Sequence, residues 1–499
     1  MKASPQDLPP PPPTSERPGY PVHYTTINTL DEDILLVVFG YYRLDDENAW
    51  NDRIGWRKLS HVCRRWRHLI HSSAIHLGLH ILCTNGTPLV HTLDHLPPLP
   101  LLIAYRVTIA TISRKDELGI YSALRLRDRV RTIDLDLPPS ILHKFLMLMV
   151  EPFPMLERLS LSFTIDGSTT LVLPRTFLAP NLRLLKLTSV CLPKGLPFLS
   201  TVSLVTLVLT NIQVSGYFPP KQLVARLRSL PQLEELAIGF STPLPRPSAE
   251  MELLGDQETP VTLSNLKLLT FRGVSAYLEC LVAQIRAPFL DRLNITLFGQ
   301  IAFALPHLSH FTSMIEGLKL PTAKVFFWRD KVFIIMDHHS NTQPYGHDGC
   351  FIVRVTFKHW DWQIDCAAQI CSALMPILSS VEKLTLDFYG LMVPTEWQDG
   401  EIDGTTWHQL LRSFVGVKEL HICGALLPEL SRALQVDNVG SDPGLLPGLQ
   451  ELVSVFKGEH MDNLFDSFLH ARGIGGRPVR LVRQQFPEFT TTQVVVSPI

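Results

Sequence analysis

Apolar residues follow two rhythms along the chain. Near the N-terminus the steps are three and four, as in Ile34, Leu35, Val38 and Phe39, and again in Trp56, Leu59, Cys63, Trp66 and Ile70, with Val62 and Leu69 beside them. That spacing lays one apolar stripe along a helix and predicts helices over residues 31–42 and 56–70. Thr29-Leu30-Asp31-Glu32 fits a capping box, with Thr29 as N-cap and Glu32 at N3. The other face of the second helix carries Arg57, Lys58, His61, Arg64, Arg65 and His68. Two tryptophans on one short stripe are anchors that a single helix cannot bury alone, so either the rest of this region or another protein must pack there.

Beyond residue 110 the rhythm becomes apolar-x-x-apolar-x-apolar. It runs through Val130/Ile133/Leu135, Leu156/Leu159/Leu161, Leu182/Leu185/Leu187, Leu204/Leu207/Leu209, Leu233/Leu236/Ile238, Leu266/Leu269/Phe271 and Leu290/Leu293/Ile295. Later copies are Val381/Leu384/Leu386, Val417/Leu420/Ile422 and a partial Leu449/Leu452. A proline stands two positions before the first apolar residue at Pro154, Pro180, Pro231, Pro288 and Pro447, and the two intervening positions usually hold a charge, as in Glu157-Arg158 and Asp291-Arg292. Successive starts from Val130 to Leu290 are 26, 26, 22, 29, 33 and 24 residues apart. Each triple should end in a short strand whose leucines enter a core while alternate residues face the other way. The return segments predict helices at 220–230 and 277–286. Between 300 and 380 the repeat is hard to place, and 323–328, 331–336 and 353–357 read as strands. Leu77, Leu79 and Ile81 give a further short strand signal. The stretches 241–260 and 394–406 are polar and read as surface loops.

Two resemblances follow from these residues. Leu30-x-x-x-Ile34-Leu35-x-x-Val38-Phe39, a polar insert from Leu44 to Arg53, then Leu59-x-x-Val62-Cys63-Arg64-x-Trp66-Arg67-x-Leu69 resembles an F-box, with Asp31 standing where that family usually has proline. The resemblance implies a compact helical module that docks on a Skp-type adaptor and, through it, on a cullin. The residues it points to for adaptor binding are Leu30, Ile34, Leu35, Val38, Phe39, Leu59, Val62, Cys63 and Trp66. An ordinary two-helix hairpin with a solvated basic face is the alternative. The triples resemble irregular leucine-rich repeats in their spacing, although the asparagine that usually follows the strand is mostly absent. The implied fold class is α/β, a small helical module followed by a leucine-rich-repeat-like α/β solenoid; an open α/β layer arrangement is the alternative. The segment 74–110 looks like the bridge found in many fungal F-box proteins. The division expected is a proline-rich leader at 1–24, an F-box at 25–73, this bridge, a solenoid at 111–470 and a tail at 471–499.

Bulk properties narrow the function. The chain has 499 residues, too many for one ordinary core unless the fold is a repeat array. Lys plus Arg is 45 against 47 for Asp plus Glu, a net charge of −2, which argues against a general nucleic-acid binder. The 8 cysteines form no C-x-x-C pair, the reduced intracellular pattern. The first residues lack the apolar core of a signal peptide, and no apolar run reaches the roughly eighteen residues of a membrane span. A cytoplasmic or nuclear protein is expected, with no membrane partner, and the sequons at Asn85 and Asn294 should be silent. Pro9 to Pro13 could form a polyproline II ligand, although a solvated leader is the plainer reading.

Catalytic signatures are absent. Asp337-His338-His339 with His347-Asp348 and Cys350 is the densest group of ligand-type residues, but its spacing matches no common zinc template and it reads as a polar loop. Arg472 to Arg477 lacks the lysine-serine pair of a phosphate loop and reads as a linker. No enzyme activity, cofactor or metal is expected. By resemblance the chain would be a substrate receptor of an SCF-type ubiquitin ligase, with target contacts from Arg158, Lys186, Glu235, Arg272, Arg292, Lys383 and His421. Two competitors remain: an interaction scaffold outside any ligase, and an enzyme or metal protein using the loop at 337–350.

Overall fold

The computed structural model describes residues 27–44, 55–74, 76–86, 98–106, 112–163, 169–193, 202–243, 259–299, 302–328, 330–338, 350–357, 362–389, 404–436, 445–456 and 463–485. The proline-rich leader, the polar insert after Leu44 and most of the two long polar loops lie outside these residues. The chain divides into two compact units, Met1–Leu82 with Leu93–Pro100, and Cys83–Thr92 with Leu101–Ile499.

Among its described residues the first unit has the helices α1 (Glu32–Leu44), α2 (Gly55–Ser60) and α3 (Arg64–Ser72). Helix α1 begins later than the capping box predicts. A 3-10 turn over Ile27–Thr29 takes up the threonine, and the Asp31 carbonyl accepts the N–H of Leu35 at 3.1 Å. Glu32 and Asp33 then lie in the first turn, where negative charge favours the exposed N–H groups. The single helix expected over 56–70 is broken at His61–Cys63. His61 and Val62 bond back three residues to the Lys58 and Leu59 carbonyls, and Cys63 is extended at φ −155° and ψ 170°. The Cys63 thiol accepts the Trp66 N–H at 3.4 Å, and Arg67 Nε donates to the Ser60 carbonyl at 2.9 Å, so the break satisfies both helix ends it creates. Trp66, Leu69 and Ile70 are thereby buried with Leu35 and Phe39, and the Phe39 and Trp66 rings meet edge-on with centroids 4.8 Å apart. Arg65 Nη2 donates to the Leu30 carbonyl at 2.7 Å, tying α3 to the start of α1. The strand expected at 77–81 forms only at Ile81–Cys83, because Gly78, at φ 57°, turns the chain first.

In the second unit a sheet runs through β1 (Leu101–Arg106), β2 (Val130–Asp136), β3 (Arg158–Ser162), β4 (Leu184–Thr188), β5 (Thr206–Ile212), β6 (Glu235–Phe240), β7 (Leu268–Gly273), β8 (Arg292–Phe298), β9 (Thr322–Trp328), β10 (Lys331–Asp337), β11 (Phe351–Thr356), β12 (Lys383–Tyr389), β13 (Glu419–Cys423), β14 (Glu451–Phe456) and β15 (Arg480–Gln485). Strands β1 to β8 follow in sequence order, then β11, β10 and β9, then β12 to β15. All neighbours are parallel except β10, which runs antiparallel to both β9 and β11. The unit is mixed α/β with a large, mostly parallel sheet, consistent with a leucine-rich-repeat-like α/β solenoid. The predicted triples fall into register: Leu159, Leu185, Leu207, Leu236, Leu269 and Leu293 are consecutive cross-strand partners. All are buried, as are Leu156, Leu182, Leu204, Leu233, Leu266 and Leu290 just ahead of each strand. At about 1.5–3 kcal/mol for each fully buried leucine, this stack explains why the triple admits only apolar residues.

Helices return the chain between strands. They include α4 (Arg114–Leu124), α5 (Pro139–Leu146), α6 (Pro220–Leu227), α7 (Ser275–Val282), α8 (Pro306–Ser313), α9 (Gln363–Ala373), α10 (Met375–Leu378), α11 (Gly404–Arg412), α12 (Leu427–Val436) and α13 (Asp466–Ile474). Prolines open α5, α6 and α8, where the missing N–H costs nothing. The helix expected at 277–286 is corrected: α7 ends at Val282, and Ile285–Arg286 is a short strand paired in parallel with Val261–Thr262. Strand β1 lies in the segment read as a bridge, and β15 in the segment read as a tail. Of the linker expected at Arg472–Arg477, residues 472–474 instead end α13, where Arg472 Nη2 donates to the Leu446 carbonyl at 2.6 Å, and 475–477 leave the helix in a turn.

Candidate interaction surfaces

The nine residues singled out on the helical unit separate into two sets. Leu35, Phe39 and Trp66 are buried and hold the helices together, while Leu30, Leu59 and Cys63 are half-buried. Ile34, Val38 and Val62 are exposed at 48%, 42% and 59%. Val37 and Tyr41, which the sequence reading passed over, are exposed as well, at 58% and 69%. Ile34, Val37, Val38 and Tyr41 stand at i, i+3, i+4 and i+7, so α1 carries a second apolar stripe beside the one it buries. The signal was present in ILLVVFGYY, where Ile34 and Val38 were read as one stripe with Leu35 and Phe39. Lys58, His61, Arg64, Arg67 and His68 are exposed around this unit.

On the sheet, the seven candidate target-binding residues share one face. Register puts Arg158 in line with Leu184, Thr206, Glu235, Leu268 and Arg292, with Lys186 and Arg272 at even steps along their own strands. Lys383 and His421 occupy the same parity on β12 and β13. Arg158, Lys186, Arg272 and Arg292 are exposed, and Glu235 is half-buried. Lys383 and His421 are engaged: both bond the Glu419 carboxylate, Lys383 Nζ at 2.9 Å. Burial pushes the Glu419 carboxyl up, but the bonds from His421 and Lys383 outweigh it and hold it below its ordinary value. Lys324 is likewise paired with Asp387 at 3.5 Å, and Arg106 with Asp134 at 3.1 Å.

The centre of this face is different. Phe326, Phe333, Ile335 and Ile352 form a buried cluster across β9, β10 and β11, with Trp328 packed against it. Cations lie over these rings: Lys324 over Phe326 at 5.2 Å, Lys331 over Trp328 at 5.9 Å and Arg354 over Phe333 at 4.9 Å. Arg272 lies 5.8 Å from the Phe298 ring on the neighbouring strand. The sequence reading found Arg272 but missed Arg354 and the aromatic cluster, because β10 has apolar residues on both faces and shows no alternation.

The ligand-type group at 337–350 is only partly among the described residues; His339, His347 and Asp348 lie outside them. Asp337 Oδ1 accepts the His338 N–H at 2.7 Å and lies 3.4 Å from the Cys350 thiol, whereas the His338 ring reaches the Lys319 carbonyl at 2.8 Å. Among the described residues, no three histidine, cysteine or acidic side chains are placed to hold a metal. Nor is any described helix long and apolar enough to cross a membrane.

No protein-family profile matches the chain, and no curated protein matches it. Among solved structures, the leucine-rich repeat-containing protein LegL7 from Legionella pneumophila aligns over 79% of this chain and 98% of its own, at 12% identity and a TM-score of 0.26. At that score neither family nor function carries over. The reading below rests on the surfaces of this chain.

Proposed function

We propose that the chain is a non-catalytic receptor that joins two proteins, the helical unit docking on a Skp-type adaptor of a cullin–RING ubiquitin ligase and the open sheet face receiving the target. The observation that carries this reading is the outward stripe of α1, where Ile34, Val37, Val38 and Tyr41 remain exposed although Leu35 and Phe39 have already built the core. A helix apolar on two sides needs a second partner. Val62 adds an exposed apolar side chain on the turn between α2 and α3, within the motif that resembles an F-box.

Binding of the full chain to a purified Skp-type adaptor, measured by calorimetry, tests the proposal. Val38→Asp should weaken binding about 30-fold, the yield of losing about 2 kcal/mol at one buried contact, and leave the circular dichroism spectrum unchanged. No binding by the folded wild-type chain would remove the ligase from the account and leave a scaffold with other partners.

A further inference from the structure

Arg272 and Arg354 stand on one cross-strand row, separated by Thr296 of β8. Their Cα atoms are therefore about 10 Å apart, two strand spacings, within easy reach of two long side chains. Among the described residues neither arginine forms an ion pair, in contrast to Lys324, Lys383 and Arg106 on the same face. Arg158, Lys186 and Arg292 are exposed to water, which compensates their charge. Arg354 is half-buried, and its Nε is shielded from solvent without a hydrogen-bond partner. A guanidinium stays charged at any physiological pH, so a partly desolvated one without an anion is costly. Burial and the nearby charge of Arg272 both press the Arg354 pKa down from its ordinary value. Asn294, one row along on β8, also has a buried side-chain oxygen without a partner.

The rings decide what such a pair can take. The Arg354 and Arg272 guanidinium carbons lie 4.9 and 5.8 Å from the centres of the Phe333 and Phe298 rings, which offer no acceptor oxygen, so the N–H edges of both remain without an anion among the described residues. An edge of that kind matches a carboxylate in two parallel hydrogen bonds.

We propose that Arg272 and Arg354 together receive an aspartate or glutamate side chain from an extended segment of the bound target protein. The inference rests on the reading of this sheet face as the target surface. It predicts targets that present an acidic residue flanked by uncharged ones, because the surrounding positions Thr270, Thr296, Ile335 and Ile352 carry no charge.

The test uses the full chain and a fluorescent peptide alternating glutamate with leucine, beside its glutamine-for-glutamate counterpart. The glutamate peptide should bind about tenfold more tightly, as expected for one charge-assisted pair. That preference should vanish in the Arg272→Gln/Arg354→Gln variant and persist in Arg175→Gln, at an exposed arginine outside the strands of the sheet. Arg272→Gln alone changes only an exposed side chain and should cut the preference at least about threefold, half the double effect in free energy. Equal binding of the two peptides by folded wild-type protein would overturn the site, as would a preference that survives in the double variant. Adaptor binding by the same samples separates the outcomes: its loss would sink the ligase reading, whereas its persistence without a peptide preference would sink only the arginine site.

Discussion

Removing the carboxylate of Glu279 should loosen the sheet unit at one identifiable joint. Glu279 sits on α7, 7% exposed, and accepts the N–H groups of His307 at 2.8 Å and Leu308 at 2.9 Å. These are the first donors of α8, whose opening residue Pro306 has no N–H to offer. One repeat therefore caps the helix of the next. Hydrogen bonds to a charged acceptor contribute about 1.5–3 kcal/mol each, and Glu279→Ala leaves both donors without a partner. Burial opposes part of that gain and pushes the Glu279 carboxyl above its ordinary value. The net loss for Glu279→Ala should be about 2–3 kcal/mol, and for Glu279→Gln, which keeps one oxygen acceptor, about 1 kcal/mol. Urea denaturation supplies these differences, and hydrogen exchange at the amides of His307 and Leu308 localises them. The pH dependence has a fixed sign. A folded-state pKa above the unfolded value means that the folded chain binds more protons in the window between them, so stability rises as pH falls through it. Wild type should therefore gain on Glu279→Gln as the pH drops from neutral towards 4.5, the ordinary value of a glutamate carboxyl. An alanine variant that unfolds with wild type and exchanges those two amides no faster would refute the reasoning.

Other consequences are as specific. Gly416→Ala would drive a Cβ into the carbonyl oxygens of Ser379 and Val381, backbone that cannot swing aside, and should cost about 1–3 kcal/mol in thermal or chemical unfolding. Trp66→Ala should destabilise the helical unit by about 3–5 kcal/mol, whereas Val62→Ala, on an exposed side chain, should stay within about 0.5 kcal/mol in the same assay. Burial pushes the Cys366 thiol up to about 12 and Cys371 higher still, so neither should react with iodoacetamide at neutral pH until the protein unfolds, as mass spectrometry would read directly.

Period-two and period-three-to-four patterns made most of the architecture legible. The leucine triples located the strands of the sheet from β2 to β8 and from β12 to β14, because each triple has to supply one inward layer. Two strands outside the triples, Leu101–Arg106 and Arg480–Gln485, escaped for a physical reason. Leu101–Arg106 alternates buried and half-buried residues without the preceding apolar anchor of the triple, and Arg480–Gln485 carries polar residues at the edge of the sheet, where one side has no neighbour to demand leucine. The kink at Cys63 was hidden because its thiol caps α3, a role that cysteine rarely advertises. On the candidate surfaces, alternation alone placed Arg158, Lys186, Glu235, Arg272, Arg292, Lys383 and His421 on one face. It could not say that Lys383 and His421 spend their charge on Glu419, nor that Leu35 and Ile34, adjacent in sequence, point one into the core and one out of it.

Hydrogen–deuterium exchange of the full chain, with and without a saturating Skp-type adaptor, tests the central claim most directly. The account predicts slowed exchange in peptides spanning Ile34–Tyr41 and His61–Cys63, with the strands of the sheet unchanged. Unaltered exchange over α1, or protection confined to the sheet, would contradict it.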